Sequence, residues 1–349
     1  MNPLEIAQAF RAGRVRAPTP PESALGAGGI QHAIRAERAM LTRKSLLVFT
    51  AQSVIKLRRP IEVDGFDQRV PSVRYGMTGR ERTVGRRIAP EIYYDDLVLR
   101  VAPPRPGESE PVLDLIPGLV EGEPVVAMVR LSEARRADHL LASEWVTPEL
   151  FDPAMVRLAA FHAEADLHPE APAADPASFA PRVRELVQRL GAIATAAERR
   201  HLEQETLGWV DQLAGTLAHR VMEGRIRDVH GELALEHLFI AEDGTPSFID
   251  PDDGMPEAHV MDTGEEVMRL ALELDLLASP AFSDRVIETY ASATADGTLR
   301  RVSRLFKRLA ALRFAADAAT AHAESLAATP DDDARARARF FLDATLARP

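Results

Sequence analysis

Two histidines and several carboxylates are concentrated in one stretch of the chain, which reads RDVHGELALEHLFIAEDGTPSFIDPDD and runs from Arg227 to Asp253. His230 precedes Gly231-Glu232 at a predicted sharp turn of the backbone, and His237 follows shortly after. Carboxylates beside an imidazole suit divalent-metal binding or proton transfer. This stretch is therefore the first candidate for a functional site.

A β-hairpin is predicted to position two of these carboxylates. The apolar segments 238–240 and 247–249 favour short strands, and Glu242-Asp243-Gly244 between them favours a tight turn. Such a hairpin would bring Glu232, in the loop before it, and Asp250, at the end of its second strand, to one end of the same ribbon.

Length and composition are those of an ordinary globular protein. The chain has 349 residues, 46% hydrophobic and 27% charged, which is enough for two lobes or two small domains. No apolar run is long enough for a membrane span, and the N-terminus lacks a secretory-signal pattern, so a cytoplasmic location is expected. The net charge of −11 argues against broad nucleic-acid binding. The absence of cysteine excludes disulfides, thiolate metal sites and a cysteine nucleophile.

Lysine is rare in this chain. Of its 42 basic residues only three are lysines, at positions 44, 56 and 307. Because a guanidinium and an ammonium differ in shape and hydration, each retained lysine hints at a position that requires a compact cation.

The first part of the chain predicts a β-rich lobe over residues 30–131. Residues 1–29 start with a short helical pattern and then become rich in proline and glycine, which is typical of a loosely attached leader. The patterns that follow predict a helix over 31–41, strands over 45–49 and 53–57, a helix over 78–88, and strands over 96–102 and 124–131. These strands would form a small, mostly antiparallel sheet.

The remainder, residues 132–349, predicts an α-rich lobe that contains the stretch 227–253. Apolar periodicity predicts helices over 147–165, 181–190, 194–222, 263–277, 283–293, 299–326 and 331–349. The predicted fold is therefore α+β with two lobes, and a cleft between two such lobes commonly binds ligands.

Several other polar residues are interpreted as structural. His162 is expected to be a packed core histidine. Asp252 and Asp253 are expected to be solvated turn residues, with a second metal contact by Asp252 as the alternative. The arginine-rich runs over 80–87 and 300–308 are interpreted as solvated helix faces.

The order of these elements resembles the aminoglycoside phosphotransferase and choline kinase-like branch of the protein-kinase-like fold. The family loop typically reads HGDLHLxN, where residues 230–237 read HGELALEH, and its downstream strand ends in a metal-binding aspartate, as at IDP over 249–251. The resemblance extends roughly over residues 35–325. It is closest to bacterial proteins in which such a domain often precedes a gluconate-kinase-like P-loop domain. No P-loop motif occurs here, so that second domain is expected to be missing.

The resemblance implies a nucleotide and metal site. Lys56, in the strand VIKLRRP, would contact the phosphates of ATP, and Glu81 would hold its side chain extended. Asp250 would bind Mg²⁺. Phosphoryl transfer requires this charge neutralisation together with an oriented acceptor hydroxyl.

The resemblance also assigns roles within the loop. Glu232 would take the place of the catalytic aspartate that orients the acceptor, and His237 would replace the asparagine metal ligand. His230 would fix the loop by hydrogen bonding. Both Glu232 and His237 depart from the family pattern: glutamate is longer by one methylene, and imidazole suits Zn²⁺ or Mn²⁺ better than Mg²⁺. A glycine-rich phosphate loop is also absent. The turn between the first two predicted strands reads Thr50-Ala51-Gln52-Ser53 and contains no glycine.

Two functions follow from this pattern. One is an ATP- and Mg²⁺-dependent phosphotransferase that phosphorylates a hydroxyl of an unidentified small molecule with a degenerate catalytic loop. The other is a catalytically inactive pseudokinase that binds a nucleotide, a metabolite or a protein partner. Metal-dependent hydrolysis at the same residues is a third reading, disfavoured because His230 and His237 lack the i, i+4 helical spacing of a zincin pair.

Overall fold

The computed structural model describes residues 2–16, 34–63, 65–103, 112–118, 120–143, 145–252, 254, 259–325 and 332–347. The chain divides into two units: Met1–Glu133 together with Ser247–Asp253, and Ala134–Pro246 together with Gly254–Pro349. The first unit is organised by a β-sheet and the second is mainly helical. The structure therefore confirms the predicted α+β class.

A seven-stranded sheet organises the first unit. The strands of this unit, numbered along the chain, are β1 (Val15–Arg16), β2 (Arg38–Leu41), β3 (Ser45–Phe49), β4 (Ser53–Arg58), β5 (Glu62–Val63), β6 (Phe66–Asp67), β7 (Leu97–Ala102), β8 (Val112–Pro117) and β9 (Glu123–Val129). The sheet order is β1-β8-β7-β9-β4-β3-β2, and all neighbours are antiparallel except the parallel pair β1–β8. Strands β5 and β6 pair separately. The helices α1 (Pro3–Arg11) and α2 (Pro71–Ile88) belong to the same unit.

Strand β4 lies inside this sheet, between β3 and β9. Lys56 is in register with Leu47 on one neighbour and Val126 on the other. Because successive side chains of a strand point to opposite faces, Ile55 and Leu57 enter the apolar core of the unit while Lys56 is directed to the other face. The sheet thus fixes the position of the one buried lysine that the sequence singles out.

The N-terminal segment is part of this core, which contradicts the interpretation of a loosely attached leader for residues 3–16. Phe10 of α1 is fully buried and Ile6 is 4% exposed, and both pack with the sheet residues of the apolar core. The asparagine before the helix caps it through a capping box with Glu5. The remainder of the predicted leader, residues 17–29, lies outside the described residues.

The helix predicted over 31–41 is wrong where the structure describes it. Residues Arg38–Leu41 form strand β2, which pairs with β3 along its whole length. Pairing with β3 satisfies the backbone groups on one side of this segment and overrides the helical propensity of its Arg, Ala, Met and Leu residues. Strand β8 was not predicted either, because its neighbouring proline- and glycine-rich segment favoured a loop.

Helices build most of the second unit. They are α3 (Ala137–Ser143), α4 (Asp152–Glu164), α5 (Phe179–Arg189), α6 (Ala196–Met222), α7 (Thr263–Leu277), α8 (Pro280–Thr294), α9 (Leu299–Ser325) and α10 (Asp332–Ala347). Every helix predicted after residue 131 is present, within a few residues of its predicted bounds. Two details differ: α3 was not predicted, and Pro148–Phe151 forms a 3₁₀ turn before α4.

Short strands frame the stretch that the sequence singles out. They are β10 (Ile226–Asp228), β11 (Leu238–Ile240), β12 (Pro246–Phe248) and β13 (Val260–Asp262). The predicted turn of the hairpin is present: the Ala241 amide donates to the Thr245 carbonyl at 2.9 Å, and Gly244 has a positive φ of 85°. Among the described residues, no helix is both long and apolar enough to cross a membrane.

Replacing Phe10 by alanine is expected to lower the free energy of unfolding by about 3 kcal/mol, because a large aromatic side chain is removed from a packed core. Leu4→Ala is the matched control, since Leu4 lies on the same helix with 57% of its surface exposed. Urea denaturation followed by circular dichroism measures both variants. Equally small effects would show that α1 is only loosely attached.

Candidate functional site

Four ionisable side chains meet in the first unit. The Lys56 ammonium donates to a Glu81 oxygen at 3.0 Å and also pairs with Asp250. Glu81 is fully buried, and its second oxygen pairs with the guanidinium of Arg58. The structure thus brings together the three residues that the sequence assigns to phosphate and metal binding, and it adds a second buried cation. We call this group the Lys56 cluster.

Local sequence explains the positions within the Lys56 cluster. Arg58 lies two residues after Lys56 and therefore on the same face of β4. Glu81 lies on the buried face of α2, between Met77 and Val84 at helical spacing. The sequence analysis missed Arg58 as a member of this site. The alternation of side chains along a strand could have identified it, because that alternation places it on the same face as Lys56.

Asp250 has an unusual backbone conformation. Its φ of 60° places it in the left-handed region, which few residues other than glycine adopt. Its amide donates to the hydroxyl of Tyr93 at 2.8 Å. Strained residues of this kind cluster at functional sites, where the surrounding structure holds them. Its carboxylate is 42% exposed, so it is accessible to a ligand from solvent.

Tyr93 is a positioning residue that the sequence analysis missed. It is almost fully buried, and burial raises the pKa of its hydroxyl well above the usual value. Its ring packs so closely on α2 that a Cβ at Gly85 would lie 2.5 Å from ring atoms. The glycine at position 85, in the last turn of α2, was the available signal. Tyr93 therefore links the helix that carries Glu81 to the backbone of Asp250.

Asp252 is not solvated as predicted. Asp252 is only 6% exposed, and its carbonyl accepts a hydrogen bond from Arg80 at 3.1 Å. The prediction of a solvated turn residue is therefore wrong for Asp252, while Asp253 lies outside the described residues.

In the second unit a buried carboxylate holds the predicted catalytic loop by its backbone. One oxygen of Glu266 accepts from the Gly231 amide at 2.5 Å, and the other accepts from the His230 amide at 3.2 Å. His162 donates to the same carboxylate at 2.7 Å. Burial raises the pKa of Glu266, but the hydrogen bond and charge of His162 and the charge of His230 outweigh it and lower the pKa. His162 is buried as predicted and also orients this anchor.

The side chains predicted to do chemistry lie along the same loop. His230 is fully buried, and Glu232 is half-buried. The Nδ1 of His237 lies 2.6 Å from the carbonyl oxygen of Glu232, and since a carbonyl oxygen only accepts, Nδ1 donates this hydrogen bond. Arg269, on α7, donates to the Gly231 carbonyl beside them.

Two further charged residues on α7 support this loop, and the sequence analysis missed both. Burial and the charge of Arg313 lower the pKa of Arg269, against the opposing charge of Glu232. Glu273 accepts from the Leu235 amide at 2.8 Å, and burial raises its pKa to about 7. The charged residues at 266, 269 and 273, which recur at helical spacing within the apolar stretch of α7, were the available signal.

Among the described residues, no group of three or more histidine, aspartate or glutamate side chains lies close enough to hold a metal ion by itself. Asp250 is thus a carboxylate that would need further ligands, which in kinase-type sites come from the substrate phosphates and water.

Comparisons with known proteins identify the fold. No protein-family model matches the sequence, and a search of curated proteins found no match. Among solved structures, the GDP and kanamycin complex of APH(2")-IIia, an aminoglycoside phosphotransferase, matches with a TM-score of 0.50 and 13% identity, over 90% of this chain and 94% of that chain. The chain has the fold of this enzyme class. The predicted two-lobed, kinase-like fold is therefore confirmed.

Two further kinase-like structures agree. A choline/ethanolamine kinase family protein from Mesorhizobium loti has a TM-score of 0.54 and 12% identity, over 89% of this chain and 88% of that chain. The choline kinase from Cryptosporidium parvum Iowa II has a TM-score of 0.50 and 10% identity, over 89% and 87%. At these identities the likeness establishes the fold, and the activity has to be argued from the residues themselves.

Tyr93→Phe is expected to speed amide exchange at Asp250 about tenfold, because the amide loses an acceptor worth on the order of 1 kcal/mol. Hydrogen exchange followed by mass spectrometry of the segment 247–252 measures this. Tyr94→Phe is the matched control, since the Tyr94 hydroxyl contacts only Ser53 at 3.3 Å among the described residues. Unchanged exchange in Tyr93→Phe would refute the positioning role.

Glu273→Gln is expected to change how stability depends on pH. With a folded pKa of about 7 against an ordinary value of 4.5, the native state keeps a proton that the unfolded chain loses. The wild-type free energy of unfolding should therefore fall between about pH 5 and pH 7, and glutamine should remove this loss. Relative to wild type, the variant should gain stability through that window. Glu288→Gln, at an exposed position of α8, should show no such gain, and parallel curves for all three proteins would contradict the assignment.

Proposed function

We propose that this chain is a phosphotransferase that binds ATP with Mg²⁺ and phosphorylates a hydroxyl group of a small molecule. The Lys56 cluster carries the proposal. Its lysine is held extended by a fully buried glutamate, beside a carboxylate in the left-handed conformation that remains accessible. A structural ion pair alone would require neither the strain nor the exposure of Asp250.

The charges of the cluster suit a phosphate ligand. Arg58 neutralises Glu81 on its own, so the ammonium of Lys56 can be shared with a phosphate group. Asp250 offers a hard carboxylate oxygen, which is the ligand type that Mg²⁺ prefers. When bound, Mg²⁺ would neutralise charge on the transferring phosphate. Asp250 would hold this ion, and His237 is proposed from the resemblance alone as a metal ligand.

The loop residues would act on the acceptor. Glu232 would accept a hydrogen bond from the acceptor hydroxyl and orient its oxygen for attack. His230 and Glu266 would keep the loop in place, because two backbone amides of the loop are bound to one buried carboxylate. Arg269 would steady the adjoining carbonyl.

Nucleotide binding tests this proposal. ATP with Mg²⁺ should raise the melting temperature of the wild type, and Lys56→Met and Asp250→Asn should each weaken binding at least tenfold, since a charge-assisted contact is worth roughly 1.5–3 kcal/mol. Both variants should fold, because Arg58 still pairs with Glu81 in either of them. The exposed Arg100→Ala and the hairpin-turn Asp243→Asn are matched controls. If no nucleotide raises the melting temperature of the wild type, the phosphotransferase hypothesis is refuted.

A pseudokinase is the second candidate, and the loop itself favours it. Glu232 has one methylene more than the family aspartate, and a misplacement of about 1 Å can reduce a rate roughly a hundredfold. The Nδ1 of His237 is engaged with a backbone carbonyl. Mg²⁺-independent binding that survives Asp250→Asn would support this candidate. ATP turnover that is gained only in Glu232→Asp would identify the loop as a decayed catalytic one.

A further inference from the structure

A cavity of about 270 Å³ lies among four helices of the second unit, α6, α7, α9 and α10. Its volume approaches the lower end of the range for small-molecule sites. It is lined by one aromatic side chain, one carboxylate and three cations: Trp209, Asp275, Arg304, Lys307 and Arg308. None of these residues belongs to the catalytic loop or to the Lys56 cluster, so the cavity requires an explanation of its own.

Two of the three cations are held in the walls of the cavity by ion pairs. Arg308 is 5% exposed and lies 2.9 Å from Glu205. Lys307 donates to Asp275 at 2.7 Å and to Ser283 at 2.6 Å. The predicted solvated helix face over 300–308 is therefore wrong for Arg308. Removing water from charged groups costs free energy. An apolar ligand would add to this cost, because it offers the charged groups no hydrogen bonds.

Donor capacity remains on two of these groups. An ammonium has three N–H groups, and among the described residues only Asp275 and Ser283 are bound to Lys307. Arg304 has no carboxylate partner within the described parts of the chain. Its guanidinium lies over the ring of Trp209 at 4.2 Å, and that of Arg308 lies over the same ring at 4.5 Å.

The charge and shape of the cavity select the ligand. Among the described residues, the three cations are paired with two carboxylates, Asp275 of the lining and Glu205 beside Arg308, so one positive charge is not compensated. A guanidinium stacked on a ring keeps its N–H edge available for bidentate contacts to planar or tetrahedral oxyanions. Lys307, one of three lysines in the chain, adds a compact donor. We propose that this cavity binds the phosphate or carboxylate group of a small metabolite through Arg304 and Lys307, beside Trp209.

Trp209 provides a direct readout of such binding. The chain has only two tryptophans, and Trp145 is fully exposed, so Trp145→Phe should leave the fold intact and isolate the signal of Trp209. In this background, inorganic phosphate and succinate are titrated separately, with sodium chloride at equal ionic strength as the reference. A saturable change in Trp209 fluorescence with either anion supports the proposal, and the arm that saturates at lower concentration identifies the preferred group. Responses that only follow ionic strength overturn it.

Substitutions on α9 locate the binding. Arg304→Gln should weaken the preferred anion at least tenfold, and Lys307→Gln should do the same. Arg301→Gln removes the same charge from an exposed position of the same helix and should leave the affinity within about twofold. Arg304 is itself exposed, so its replacement should not unfold the chain. Equal affinity in Arg304→Gln and Arg301→Gln would overturn the proposal even if an anion binds elsewhere.

Discussion

The first unit depends on a carboxylate that has no access to water. Glu81 is fully buried, and an isolated buried carboxylate would be strongly destabilising. Two cations of β4 resolve this problem, because each pairs with one of its oxygens. The same contacts fix α2 against the sheet and leave Lys56 extended beside Asp250. Removing Glu81 would take away the carboxylate that Lys56 and Arg58 share and leave Lys56 with Asp250, so the geometry of the Lys56 cluster and the stability of the unit cannot be separated by mutation at this position.

A second buried carboxylate has the corresponding role in the other unit. Glu266 binds the amides of His230 and Gly231, and His162 completes its hydrogen bonds. In both units, a fully buried glutamate therefore holds part of the candidate site in a fixed arrangement. The difference lies in what is fixed: Glu81 orients side chains, whereas Glu266 orients the backbone of a loop.

Local sequence patterns predicted those elements of this protein that are determined by residues close together along the chain. Apolar periodicity identified α7 and α9, and a glycine after two acidic residues identified the hairpin turn. The pairing of Lys56 with Glu81 was expected only from resemblance, since they are far apart along the chain. Strand β2 and the contact of Tyr93 with Asp250 could not be predicted, because both depend on partners that only the folded sheet brings near.

The loop shows why a preserved fold does not decide the activity. Three of its supports (Glu266, Arg269 and Glu273) contact backbone amides and carbonyls of the loop. Apart from the hydrogen bond of the His237 side chain to the Glu232 carbonyl, these contacts hold the loop without the side chains at 232 and 237. Exchanging the family aspartate and asparagine for Glu232 and His237 leaves every one of these contacts in place. Such a loop can change its chemistry, or lose it, at little cost in stability, and the same frame serves an active phosphotransferase and a pseudokinase equally well.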